Sequence, residues 1–172
     1  KRGIPIISRT APARKHVRDG LDWDDMKWLR DYWQGRLLIK GVLSGEDAKL
    51  ANAIGLDGVF VSNHGGRQLD TAISPLKVLT EIVAEKGDMV ILLDSGVRRG
   101  TDVIKALALG ADFVFAGRPF LYAAALGGKD GVAYILNLLA DEVDRYESSA
   151  GAEGDPISLA TKRTTTFWNK KI

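Results

Sequence analysis

Four short apolar runs, each followed by glycine with polar or charged residues, constrain the fold of this chain more than any other feature. The runs occupy residues 36–41, 58–61, 89–93 and 112–116. Segments with helical spacing lie between them, and strands that alternate with helices predict an α/β protein with a parallel sheet. Four successive β/α units are half of a (β/α)8 barrel, or TIM barrel. Half a barrel leaves two unpaired edges, so we expect another half-barrel, on a separate chain or a missing N-terminal segment, to close it.

Helix-start signals agree with this order. Asp22 is a candidate N-cap for a helix over residues 23–33, and Ser44 is one for a helix that Gly55 ends. Pro75 suits the first turn of the helix that follows the second run. A helix over residues 101–109 follows the third run, and two helices, about 120–126 and 129–148, follow the fourth.

The two ends of the chain differ from its middle. Residues 1–20 are basic and contain Pro5 and Pro12, which predicts a solvated loop segment, with an anionic membrane surface or a partner subunit as the alternative. Residues 21–150 are predicted to form the half-barrel. Residues 151–172 have no clear period and are predicted to be an irregular tail. The first residue is Lys rather than Met, which favours a processed chain or a fragment.

Composition excludes several classes of protein. The 172 residues are 45% hydrophobic, enough for the core of one domain, and the net charge of +2 gives no strong field for nucleic acid. The sequence has no cysteine, so disulfides and thiolate metal sites are excluded. No apolar run approaches the roughly 20 residues that a membrane span needs, and no secretory signal opens the chain.

The polar stretch after the second run is the main candidate site. It reads Ser-Asn-His-Gly-Gly-Arg-Gln-Leu-Asp over residues 62–70. In parallel β/α folds, the loops after the strands carry the chemistry. His64 is suited to accept a proton near neutral pH, and Arg67 can bind a carboxylate with two parallel hydrogen bonds. The alternative is a Gly-Gly turn whose His64 and Arg67 only cap neighbouring backbone.

Other strand ends carry basic and glycine residues. Lys40 ends the first strand, where its charge could stabilise an electron-rich ring or an anionic ligand. The loops that begin at Asp94 and Gly117 follow the last two strands, and in (β/α)8 barrels such loops frequently bind phosphate. Arg98 and Arg118 would add charge-assisted hydrogen bonds to that phosphate. No spacing of His, Asp and Glu indicates a metal site.

These motifs resemble those of the FMN-dependent α-hydroxy acid oxidases and dehydrogenases. The matching segments are Lys40-Gly41, residues 62–70, residues 94–100 and residues 117–122, and they fall in the family's order and spacing. The resemblance covers about residues 20–148. The resemblance implies an FMN-binding barrel of which this chain is the last four β/α units. It implies that His64 is the catalytic base and contacts substrate, and that Arg67 binds the substrate carboxylate. It also implies an FMN-binding set of Lys40, Ser62, Asp94, Gly96, Arg98, Gly117 and Arg118.

The implied reaction is FMN-dependent oxidation of a small (S)-2-hydroxy acid, of the lactate or mandelate type, to the 2-oxo acid. Many members have glycine where this chain has Ser95. Serine at this position resembles the membrane-associated lactate and mandelate dehydrogenases, which favours a quinone-like electron acceptor. An oxygen-using oxidase and a non-catalytic half-barrel that binds flavin or a partner remain alternatives. The resemblance further implies a homo-oligomer. We expect a cytoplasmic protein, with peripheral contact at the inner face of the cell membrane as an additional expectation.

Overall fold

A computed structural model describes the backbone of residues 21–150 and the side-chain environments of residues 21–146. The chain divides into two compact units, one that ends at Gly35 and one that begins at Arg36. The predictions for residues 1–20 and 151–172 lie outside the described residues. The predicted boundaries between loop segment, half-barrel and tail therefore stay predictions.

The described part of the first unit is one helix, α1 (Trp23–Tyr32). The predicted cap is confirmed: Asp22 Oδ1 accepts from the backbone N–H groups of Asp24 (2.9 Å) and Asp25 (3.1 Å). Asp25 Oδ2 in turn accepts from the Asp22 N–H at 3.1 Å, which completes a capping box. The rings of Trp28 and Tyr32, one helical turn apart, stack with centroids 5.7 Å apart.

The second unit contains strands and helices in alternation, as predicted. In chain order they are β1 (Leu38–Val42), α2 (Gly45–Ile54), β2 (Gly58–Val61), a 3-10 turn (His64–Gly66), α3 (Pro75–Ala84), β3 (Val90–Leu93), α4 (Gly100–Ala108), β4 (Phe113–Val114) and α5 (Arg118–Ala150). Backbone angles at Gly127 and Gly128 interrupt α5. That interruption divides α5 near the point where the sequence predicts two helices.

All neighbouring strands in the described sheet are parallel, in the order β1-β2-β3-β4. Sequential order with a helix after each strand is the arrangement of successive units in a β/α barrel. The predicted fold class is confirmed over the described residues. β4 is shorter than the predicted run of residues 112–116, although its hydrogen bonds to β3 extend from the Asp112 N–H (2.7 Å to Ile91 O) to the Phe115 N–H (2.8 Å to Leu93 O).

The core lies between the sheet and its helices. Val59 and Val61 of β2 and Ile91 and Leu93 of β3 are fully buried, and so are Leu79 and Ile82 of α3. The alternate side chains, Phe60 and Leu92, are register partners on the other face of the sheet and are only partly buried. Alternation of this kind shows that one face of the sheet is packed against helices and that the other, in the described residues, is less covered.

Two buried aspartates join neighbouring strands at their amino ends. Asp57, just before β2, accepts from the Leu37 N–H at 2.8 Å, and Asp112, just before β4, accepts from the Ile91 N–H at 2.9 Å. Each follows a glycine with positive φ and one buried apolar residue, in the sequences Gly-Leu-Asp and Gly-Ala-Asp. Each carboxylate thus accepts from a backbone N–H on the neighbouring strand segment that would otherwise need another partner. They lie at the end of the sheet opposite the polar loops.

Candidate active site

The predicted site residues converge at the carboxyl ends of the four strands. A cavity of about 410 Å³ opens there. Its lining includes eight of the nine residues predicted from the sequence: Lys40, His64, Arg67, Asp94, Gly96, Arg98, Gly117 and Arg118. The ninth, Ser62, is 1% exposed and lies beneath the others. Its predicted contact with a cofactor stays a prediction.

Lys40 is fixed by two partners, one directly after β2 and one directly after β3. Its Nζ donates to Ser62 Oγ at 2.7 Å and to Asp94 Oδ2 at 2.6 Å. The side chain therefore reaches from β1, past the end of β2, to the loop after β3. Nζ also lies 5.4 Å from the centroid of the Phe60 ring. The contacts place a positive charge at a defined point at the edge of the cavity.

Asp94 stays ionised because its partners outweigh its burial. Burial alone raises the pKa of this carboxyl, but hydrogen bonds from Lys40, Ser62 and Ser95, together with the charge of Lys40, bring the pKa below its ordinary value of 3.8. Lys40 and Asp94 consequently form an ion pair at neutral pH.

The His64 turn is held by backbone contacts. His64 has a φ of +55°, and Gly65 and Gly66 are also in the left-handed region. The His64 N–H donates to Ser62 Oγ at 3.1 Å. A Cβ at Gly41 would lie 3.2 Å from His64 Cε1, so the glycine leaves room for the imidazole. Gly41 itself has a φ of +105° at an irregularity in the pairing of β1 with β2.

Three arginines surround the cavity. Arg67 and Arg98 are exposed and line it from the loops after β2 and β3. Arg118, at the start of α5, donates through one terminal nitrogen to Gly65 O at 3.0 Å. With Lys40, the lining has four basic side chains against one carboxylate, Asp94. Such a cavity favours an anionic ligand.

The backbone leaves space for a ligand to approach closely. A Cβ built at Gly96 or at Gly117 would meet no atom within 4 Å. Both glycines line the cavity beside Arg98 and Arg118. Glycine loops next to basic side chains and a helix start are suited to a phosphate group. The residues present thus fit a phosphate-bearing cofactor, as the sequence predicts.

Several lining residues were not predicted as site residues. Gly65, Ser95 and Val97 come from loops already singled out, whereas Phe115 and Leu121 come from the last strand segment and from α5. Phe115 packs against Phe60 with ring centroids 5.0 Å apart. An apolar residue near the end of a strand gives no sequence signal that separates lining from core. Its role becomes visible only when the strands are placed.

Among the residues that the structure describes, no group of three or more His, Cys, Asp or Glu side chains is placed to hold a metal ion. No helix within the described part of the chain is both long and apolar enough to cross a bilayer.

Comparison with known proteins identifies relatives of this chain. Residues 5–154 match the FMN-dependent dehydrogenase family. The chain is 53% identical over 143 residues to (S)-mandelate dehydrogenase of Pseudomonas putida, an overlap of 83% of this chain and 36% of that protein. The structure superposes on the crystal structure of the monotopic membrane protein (S)-mandelate dehydrogenase with a TM-score of 0.76 and 47% identity, over 88% of this chain and 41% of that one.

A second solved structure is nearly as similar. Mandelate oxidase with (S)-4-hydroxymandelic acid gives a TM-score of 0.73 and 43% identity, over 81% of this chain and 39% of that one. The chain therefore spans well under half the length of these relatives. The resemblance inferred from residues 62–70 and the other strand-end loops is confirmed. On the extent of the family match and the identity to its relatives, this chain belongs to the FMN-dependent dehydrogenase family.

Proposed function

We propose that this chain supplies the C-terminal half of the active site of an FMN-dependent enzyme that oxidises a small (S)-2-hydroxy acid, of the lactate or mandelate type, to the 2-oxo acid. The observation that carries the proposal is the convergence of His64, Arg67 and Lys40 on one cavity. These residues provide a proton acceptor, a carboxylate-binding group and a fixed cation. The mandelate dehydrogenase and mandelate oxidase relatives support this class of substrate.

The cofactor half of the cavity is proposed to hold FMN. Arg98 and Arg118 would bind its phosphate beside Gly96 and Gly117, and Asp94 would accept hydrogen bonds from its sugar-alcohol chain. Lys40 would face the part of the ring system that becomes negative on reduction, with Ser62 behind it. When bound, FMN supplies the acceptor for the two electrons of the oxidation.

The substrate half consists of His64 and Arg67. Arg67 is proposed to bind the carboxylate through two parallel hydrogen bonds, which orients the hydroxyl-bearing carbon. Conversion of a hydroxy acid to an oxo acid releases two electrons and two protons. His64 accepts one of those protons, either the α-proton or the hydroxyl proton, and the other would leave with the electrons to the FMN acceptor or pass to solvent. The hydrogen bond from the His64 N–H to Ser62 Oγ fixes the backbone that carries the proton-accepting imidazole.

The remaining half of the barrel is proposed to come from an N-terminal segment or a second chain. The chain spans 36% of its dehydrogenase relative, so the contacts to the substrate side chain are assigned to the part outside it. A homo-oligomer is part of the same proposal. We also propose a cytoplasmic protein with peripheral contact at the inner face of the membrane, supported by the monotopic relative.

A quinone-like acceptor is the favoured route for the electrons, because the dehydrogenase relatives and Ser95 both point to that branch. Transfer to oxygen is the second candidate, since mandelate oxidase is similar to nearly the same degree. The two are separated by assaying (S)-mandelate oxidation with a quinone analogue and with oxygen alone. Quinone reduction without peroxide supports the dehydrogenase, and stoichiometric peroxide supports the oxidase.

The test of the site is His64→Ala in the native protein, measured with (S)-mandelate and L-lactate. Loss of a positioned base should lower kcat by about 10²- to 10⁴-fold. Bound flavin, followed by its visible absorbance, should be retained in the variant because His64 is assigned to substrate. Turnover within about tenfold of the unmodified protein would refute the assignment of His64. Flavin retained without turnover of any hydroxy acid by the unmodified protein would favour a non-catalytic half-barrel.

A further inference from the structure

We propose that Ser95 is a positioning residue, whose hydroxyl fixes the His64 turn relative to the Lys40–Asp94 ion pair. The inference rests on the proposed function, in which His64 accepts the proton and Lys40 faces the cofactor. The proposed function assigns no contact or chemical step to Ser95, although Ser95 lines the same cavity. Its contacts assign it a positioning role.

The hydroxyl of Ser95 makes one hydrogen bond in each direction. Ser95 Oγ accepts from the Gly65 N–H at 3.0 Å and donates to Asp94 Oδ1 at 2.9 Å. Gly65 directly follows His64 in the loop after β2, whereas Asp94 is in the loop after β3. Since the other oxygen of Asp94 accepts from Lys40, a continuous chain of hydrogen bonds runs from Lys40 to the backbone of the His64 turn.

The same turn is held from its opposite side. Arg118 donates to Gly65 O at 3.0 Å, so both polar groups of the Gly65 backbone have partners outside the turn. A Cβ at Gly65 would lie 2.7 Å from the guanidinium of Arg118, so glycine at this position lets Arg118 reach the backbone of the turn. Ser95 therefore supplies one of two clamps on the residue that follows His64.

The backbone of Ser95 indicates that its side chain matters. Its φ is +79°, in the left-handed region that glycine adopts freely and other residues rarely adopt. Glycine would fit this position without strain, but glycine has no hydroxyl to connect Asp94 with Gly65. The hydroxyl is thus the property that serine adds at this point.

Two substitutions separate the hydroxyl from the strain. Ser95→Gly removes the hydroxyl and relieves the backbone, whereas Ser95→Ala removes the hydroxyl and keeps the left-handed strain. Both are made in the native protein with its FMN and with whatever segment completes the barrel. The readouts are kcat and KM for (S)-mandelate, and hydrogen–deuterium exchange at the Gly65 amide, resolved by mass spectrometry over residues 63–67.

Both variants should show kcat lowered about tenfold, since a misaligned base loses rate at the chemical step, with KM changed less than about threefold. Exchange at the Gly65 amide should be about tenfold faster in both. Ser95→Gly should unfold at the same temperature as the unmodified protein or a higher one. Ser44→Gly, which removes a hydroxyl bonded to Asp47 outside the cavity, should leave kcat and Gly65 exchange unchanged.

The proposal is overturned if Ser95→Gly matches the unmodified protein in kcat, or if its kcat falls while exchange at Gly65 is unchanged. The second result would mean that Ser95 acts by a route other than the turn. If the unmodified protein oxidises no hydroxy acid, the proposed function fails. The exchange rate at Gly65 then decides by itself whether Ser95 holds the turn.

Discussion

The ammonium nitrogen of Lys40, on β1, lies 2.6 Å from Asp94 Oδ2, in the loop after β3, although β2 lies between β1 and β3. The side chains are 44% and 24% exposed, so water screens the pair only in part. The ion pair joins the loop after β3 to the end of β1 across the site. The ion pair therefore fixes both the position of the Lys40 charge and the position of the loop after β3.

This ion pair predicts a specific pH dependence of stability. The pKa of Asp94 is lower in the folded chain than its ordinary 3.8, so the stability it contributes is present above pH 3.8 and is lost as the pH falls through the lowered value. Asp94→Asn should remove that acid-dependent part. Unfolding by urea, measured between pH 2 and pH 7 in both proteins, tests this, and parallel curves would contradict it.

A double-mutant cycle measures the pair directly. Lys40→Met and Asp94→Asn, made singly and together, should show a coupling of roughly 1 kcal/mol at low ionic strength, as for partly exposed pairs, and less at high salt. Additive effects would show that the two side chains contribute independently.

Gly41→Ala should impair activity more than stability. The new methyl would approach His64 Cε1 at 3.2 Å, and alanine is strained at a φ of +105°. We expect a stability loss of about 1–2 kcal/mol and a further fall in kcat per folded molecule of about tenfold or more. The measurements are urea unfolding and turnover of (S)-mandelate.

Gly55→Ala is the matched control. Gly55 also has a positive φ, +82°, at the end of α2, and a Cβ there would meet nothing within 4 Å. It should reproduce the loss of stability with kcat unchanged. Equal kcat in both variants would refute the role of Gly41 in seating His64.

Arg98→Met should weaken FMN binding. Removal of a charge-assisted hydrogen bond to phosphate is expected to raise the Kd for FMN about 10- to 100-fold, measured by fluorescence titration of the FMN-depleted protein. The adjacent Arg99 provides the control, because its guanidinium pairs with Glu142 at 3.1 Å and does not line the cavity. Arg99→Met should leave the Kd for FMN within about twofold. A similar loss in both variants would indicate a general effect of charge.

Asp112→Ala should destabilise the fold without affecting the chemistry. It leaves the buried N–H of Ile91 without the acceptor that lies at 2.9 Å, at a cost of about 1–3 kcal/mol in the free energy of unfolding. Asp112→Asn retains an acceptor and should lose less. Activity per folded molecule should be unchanged in both, because Asp112 is at the amino end of the strands. A specific loss of kcat would contradict this division of the two ends.

Much of the site was predictable because it is local in sequence. The apolar runs and the capping residues predict the order of strands and helices, and parallel pairing then brings Lys40, His64 and Asp94 to the same edge. The contacts that position them are not local. Ser95 and Gly65 are thirty residues apart, and so their hydrogen bond has no sequence pattern. The close approach of Gly41 to His64 likewise depends on an irregular strand pairing that composition does not reveal.

The most direct test of the central proposal is the visible spectrum of the purified native protein, recorded without oxygen before and after addition of (S)-mandelate. The account predicts a flavin spectrum that bleaches on addition of the acid, and that bleaches far more slowly in His64→Ala at equal flavin content. A protein with no flavin, or with flavin that neither (S)-mandelate nor L-lactate reduces, would contradict it.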